Sequence, residues 1–225
     1  MQTNTIEEIN PSTGAIKTGE KIFSIFFSYL FHPIFVPIYV AAFLLYIHPY
    51  AFAGFSDASK KITLFIIGLN LLLFPLLSVL LLKALGFIDS IFLKTQKDRI
   101  IPYIAIGIFF FWTYTVFKEQ SNYPLVLTSY VFGIFLAASI ALIANIYLKI
   151  SMHAIGMSGW LTFFILMMYD LPLMMFWPVA FVLLITGLVC SARLITKSHQ
   201  PIEIYLGIVI GAVAQLAAAY FVIGL

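Results

Sequence analysis

Seven apolar runs set the terms for this chain, at residues 22–47, 62–82, 100–117, 125–147, 154–168, 171–189 and 202–225. A helix needs roughly 20 apolar residues to cross a bilayer, with 17 to 25 usual. Lipid offers the backbone no hydrogen-bond partner, so such runs must satisfy their own amides. They therefore predict an all-α, polytopic membrane helical bundle of six to seven transmembrane helices. The run at 154–168 is short, so a bent or re-entrant hairpin at Tyr169-Asp170-Leu171-Pro172 is an alternative to a full crossing there. Pro33, Pro37 and Pro75 fall inside runs and should kink them, with neighbouring helices covering the freed carbonyls. Gly207 and Gly211 give the last run a small face that permits close packing.

The remainder of the chain leaves little room for anything else. Residues 1–21 form a polar tail without an apolar core, which is not the pattern of a cleavable signal peptide. Residues 22–225 then make a single membrane-embedded domain. The chain is 63% hydrophobic and 9% charged, and its net charge of +3 is too small and too scattered to engage nucleic acid. Cys190 is the single cysteine, which excludes an internal disulfide and any cysteine metal cluster, and its apolar surroundings read as core.

With seven crossings, the N-terminus and the loops 83–99, 148–153 and 190–201 fall on one side. That side carries Lys17, Lys21, Lys83, Lys94, Lys97, Arg99, Lys149, Arg193 and Lys197, whereas the other carries Lys60, Lys61 and Lys118. The positive-inside rule assigns the richer side to the cytoplasm of a prokaryotic inner membrane. A cationic substrate site would produce the same excess, so the face that carries the site stays open.

Ionisable groups beside a span are costly and mark functional candidates. Arg193, His199 and Glu203 stand at the mouth of the last run. His199 and Glu203 are four apart, and with Pro201 in the first turn of a helix they share one face. The carboxylate can then orient the imidazole and support its charged form. Arg193 offers a planar fork for phosphate or carboxylate oxygens. Two further loops on the same side hold Lys94, Lys97 and Arg99, and Ser151 and His153. Cations that neutralise oxygens, a nucleophile and an acid are what phosphoryl transfer requires, without a metal or other cofactor. Two histidines and a glutamate could instead hold a metal, but clustered cations would repel it. Lys83 and Lys197 read as side chains snorkelling to headgroups, His32 as a hydrogen-bonded core histidine and His48 as interfacial.

The three loops resemble, in order, the signature motifs of the type 2 phosphatidic acid phosphatase superfamily, whose members include lipid phosphate and polyprenyl diphosphate phosphatases. In the third motif Arg193, His199 and Glu203 keep the family spacing, with Glu in place of Asp and Ser191 one place further from the arginine. Gly207 and Gly211 fit the family's final helix. In the second, Ile150-Ser151-Met152-His153 matches at Ser151 and His153. In the first, Arg99 precedes Pro102, Phe92 holds the lysine position, and Lys94 or Lys97 stands nearby. The resemblance implies that His199 is the nucleophile and forms a phosphohistidine, that Glu203 orients it, and that His153 is the acid. Arg99, Arg193, Ser151 and Lys94 or Lys97 would bind phosphate. The expected partners are a membrane lipid substrate and the bilayer, with a homodimer allowed.

The competing readings are a catalytically silent relative that binds or moves anionic lipids, an intramembrane prenyltransferase and a small proton-coupled transporter. The prenyltransferase lacks its Asp-rich motifs. The transporter would need polar groups at mid-membrane, whereas here they gather at one edge.

Overall fold

The computed structural model describes residues 18–93 and 95–224. Lys94, and the polar tail up to residue 17, lie outside the described residues. Among the described residues there is no strand. The helices are α1 (Thr18–Leu30), α2 (Val36–Ala42), α3 (Asp57–Gly68), α4 (Phe74–Ala84), α5 (Gln96–Glu119), α6 (Leu125–Ala144), α7 (Met152–Asp170), α8 (Pro172–Ile195) and α9 (Pro201–Val222). A π turn at Phe43–Ile47 extends α2, and another at Leu69–Leu73 joins α3 to α4. Six helical units are long and apolar enough to cross a membrane: Asp57–Ala84 and α5 to α9.

Their outer surfaces are apolar, with Trp177, Phe221, Leu173 and Ile146 among the exposed side chains. The chain therefore presents to its surroundings what a soluble protein buries, as an integral membrane protein does. The run at 154–168 lies in a helix long and apolar enough to cross a membrane. α7 has 19 residues, or about 28 Å at 1.5 Å per residue, and Leu171 turns directly into α8.

Proline explains the two irregular runs. The first, 22–47, is not one helix but two helices with a corner at residues 31–35. Pro33 and Pro37 have no amide hydrogen to give, and the Ile34 N–H is taken by His32 Nδ1 at 3.3 Å. Beyond the corner α2 runs alongside α7: His32 packs on His153, Tyr39 on Trp160 and Phe43 on Phe164. In the second run Pro75 enters α4 just after the π turn, which absorbs the lost hydrogen bond without breaking the span.

Apolar lipid gives little drive to helix association, so close packing must supply it. α9 packs against both α6 and α7. Gly207 sits against Ala154 and the Ser151 carbonyl, and Gly211 against Ser158 and the Ile155 carbonyl. A side chain at either glycine would collide with α7, so the small face is the seam that the sequence suggests. Gln215 fills the notch at Gly133 on α6 and donates to the Tyr130 carbonyl at 3.4 Å. Cys190 is half-buried and not in the core.

Candidate functional site

The candidate residues come from helix ends. Thr95 caps α5 by accepting the Asp98 N–H at 3.1 Å, and Ser151 caps α7 by accepting the Ala154 N–H at 3.4 Å. Gln200 precedes α9, and its N–H donates to Glu203 Oε2 at 3.2 Å. These three N-termini carry partial positive charge. The Ser151 N–H donates to the Glu203 carbonyl at 3.2 Å, which ties the start of α7 to the start of α9. Gln96 and Asn145 exchange two side-chain-to-backbone bonds of 2.8 Å and fasten the start of α5 to the end of α6.

α8 ends in a Schellman-type closure. The Lys197 N–H donates to the Leu194 carbonyl and the Ser198 N–H to the Arg193 carbonyl. Lys197 adopts φ 51°, a left-handed position that glycine normally takes. That turn delivers His199, 3% exposed at its side chain, onto Glu203 with Nδ1 to Oε2 of 2.6 Å. The carboxylate accepts, so the ring's proton sits on Nδ1 and its lone pair on Nε2. Burial pushes the imidazole pKa below its ordinary 6.5; the Glu203 hydrogen bond pulls it up, and Arg193 and Arg99 push it further down. His199 is therefore neutral near pH 7, with a nucleophilic nitrogen available.

The two arginines differ. Arg99 is buried and already engaged: Nε donates to the Leu93 carbonyl at 2.9 Å and Nη1 to the Ile150 carbonyl at 2.7 Å. Leu93 also adopts a left-handed φ of 48°, so this loop is strained where it meets Arg99. Arg99 clamps the first loop to the second and brings charge close to Glu203. Arg193 is not clamped. Its Nε is buried with no acceptor from the described residues, and its charge is felt at His32, His153 and His199. Among the described residues neither arginine pairs with a carboxylate.

His153 stands in the first turn of α7. Its Nε2 donates to the Ser28 carbonyl of α1 at 3.0 Å, and its ring meets His32 edge-on at 5.0 Å between centroids. His153, His199, Glu203, Arg99, Arg193 and Ser151 thus gather at one end of the bundle. Lys97 is exposed on the first turn of α5 and makes no hydrogen bond among the described residues. No three of His, Cys, Asp and Glu converge as metal ligands among the described residues. The arrangement is a cation unsatisfied among the described residues near an imidazole held in one tautomer.

No protein family, curated protein or solved structure matches this chain.

His32, expected as a hydrogen-bonded core histidine, accepts the Ile34 N–H and packs against His153. Ser24 and Ser28 of α1, absent from the candidates read in the sequence, are buried, and the Ser28 carbonyl accepts from His153. Two signals were present in the sequence: two prolines flanking a histidine inside an apolar run, and two serines four residues apart in the same run.

Proposed function

We propose that this chain is a membrane phosphatase that hydrolyses a lipid phosphate or polyprenyl diphosphate through a phosphohistidine. In this reading it is a divergent member of the type 2 phosphatidic acid phosphatase superfamily. The observation that carries the proposal is the pairing of His199, set by Glu203 with Nε2 free, with the unpaired guanidinium of Arg193. Arg193 is half-buried, its buried Nε meets no acceptor and its charge no carboxylate among the described residues, and such a cation suits an anionic ligand whose phosphate oxygens match a planar fork.

The reaction balances on these groups. His199 Nε2 attacks phosphorus, a P–N bond forms, and the P–O bond to the lipid breaks. The leaving oxygen takes a proton from His153. Water then attacks the phosphohistidine, the P–N bond breaks, and His153 takes back a proton. The products are inorganic phosphate and a lipid alcohol, or a lipid monophosphate when the substrate is a diphosphate. Arg193, Arg99 and the N-termini of α7 and α9 offset the charge that builds on the equatorial oxygens. Lys94 or Lys97 would assist, Lys97 from the exposed first turn of α5, and Ser151 can donate its hydroxyl while accepting the Ala154 N–H. The substrate comes from the bilayer, in this reading a prokaryotic inner membrane.

A second reading, a silent relative that binds or moves anionic lipids, is favoured by one contact. His153 spends Nε2 on the Ser28 carbonyl and must exchange that acceptor for the leaving oxygen before it can act. Phosphate release from a panel of lipid mono- and diphosphates, with EDTA and with vanadate, separates the two. Release that survives EDTA and is blocked by vanadate supports the phosphatase. Lipid binding without release supports the silent relative. Release abolished by EDTA and restored by magnesium or zinc supports a metal mechanism instead.

A further inference from the structure

We propose that the broken first span supplies a second wall of this anion site, with Ser24, Ser28 and His32 donating hydrogen bonds to phosphate oxygens opposite Arg193. The proposal rests on the reading of the site as a phosphate site and extends it to residues outside the three motif loops.

The polarity of α1 is inverted. Its exposed face is Ile22, Phe23, Phe26 and Tyr29, whereas its buried face holds Ser24 and Ser28. Ser24 has no exposure and Ser28 is 7% exposed, yet neither hydroxyl has a partner among the described residues. An unpaired buried hydroxyl costs free energy, so two in adjacent turns call for a function. The serines are four apart and lie on one face of the helix. Ser28 is at the site, because its carbonyl holds His153. α1 packs mainly on α8, the helix that carries Arg193 in its last turn.

The corner adds a third donor. His32 Nδ1 accepts from the Ile34 N–H, which leaves the ring proton on Nε2. Pro33 presses on α7 at Gly156, where an added Cβ would come within 2.9 Å of the proline ring, and this fixes His32 beside His153. Among the described residues two hydroxyls, one imidazole N–H and Arg193 Nε are then four donors without an acceptor, carried by α1, the corner after it and the end of α8 against which α1 packs. An oxygen-rich anion satisfies them together. The outward apolar face of α1 places the same helix against lipid, where a substrate's acyl or prenyl chain would lie.

The test uses the full chain in detergent, with orthovanadate as the probe and calorimetry as the direct measure of binding. Ser24→Ala/Ser28→Ala should weaken vanadate binding by roughly 10-fold or more, as loss of hydrogen bonds to a charged ligand does. The same double variant should melt no lower than the parent without ligand, since it removes unpaired buried hydroxyls; a merely structural role predicts the opposite. Ser28→Thr, which keeps the hydroxyl, should bind better than Ser28→Ala. His32→Ala should weaken vanadate further, and Ser139→Ala, remote on α6, should not change it. Vanadate binding unchanged in the double variant and in His32→Ala overturns the inference while leaving the phosphatase reading intact. Serine-dependent vanadate binding by a protein that releases no phosphate from any lipid upholds the inference and removes the phosphatase. No vanadate binding by the parent overturns both.

Discussion

The two sides of the site are built in opposite ways. The α7–α9 side is closed at Gly207 and Gly211, capped at Ser151 and Gln200, and cross-tied by backbone bonds. Every polar group that sets His199 there is paired. The α1 side is a 13-residue helix that shows its apolar face outward and buries two hydroxyls without partners. Among the described residues its hydrogen bond to the candidate site is the Ser28 carbonyl on His153. A nucleophile must be held to a fraction of an ångström, and tight packing of small residues does that. A group that must exchange partners during a reaction cannot sit in such a seam. On the proposed reading, the difference separates a side that would position the chemistry from a side that would admit the ligand.

The sharpest way to break this contrast is to remove the positioned nitrogen. His199→Ala should lower turnover by about 10⁴-fold or more, as loss of a nucleophile does in other covalent mechanisms, and should abolish acid-labile phosphate on the protein. Lipid binding should be nearly unchanged. Labelled phosphate trapped on His199→Ala after rapid quench would move the nucleophile elsewhere. Next in size is Glu203→Gln, for which we expect a loss of roughly 10²- to 10⁴-fold, by analogy with carboxylates that orient a catalytic imidazole. Gln keeps an acceptor for the Gln200 N–H, so the melting temperature should change little and the loss should fall on turnover. Glu203→Asp tests reach: a shorter arm that still carries charge should recover part of the rate.

Packing is the next lever. Gly211→Ala places a methyl against the Ile155 carbonyl and the Gly159 N–H, backbone atoms that cannot swing aside. It should destabilise the protein by about 1–3 kcal/mol in a reversible unfolding assay. Gly107→Ala and Gly68→Ala meet no atom within 4 Å and should be neutral or gain up to about 1 kcal/mol from helix propensity. Equal effects at all three glycines would mean that the seam is not what holds α7 to α9.

Much of the bundle was legible because bilayer thickness turns apolar length into architecture. Six of the seven runs became spans, and the His199–Glu203 contact followed from spacing and Pro201 alone. The first run was not legible as one element, because a proline's outcome depends on its neighbours. Pro75 is absorbed by a π turn, whereas Pro33 and Pro37, with His32 capturing an amide, make a corner. The serines were illegible for a related reason. In water a buried serine face and an exposed phenylalanine face would be improbable, and only the lipid setting reverses that logic. Arg99 shows a different limit: the sequence places it at the site but cannot say that two backbone carbonyls already occupy its nitrogens.

The smallest effect tests how the two sides share control of His199. Burial and both arginines hold its pKa below 6.5, and Glu203 opposes them. In the proposed mechanism the reactive form is the neutral ring, so the midpoint of the acid limb of kcat/KM should lie below pH 6.5. A free histidine would already be half protonated there. Glu203 raises the value, so removing its charge should move the acid limb of the residual activity in Glu203→Gln to still lower pH. Rate measurements across the acid range on both proteins give the sign. An acid limb above 6.5 in the parent would mean that the carboxylate outweighs burial and the arginines. His199 would then rest as imidazolium, and the paired side would be holding an acid where the proposal needs a nucleophile.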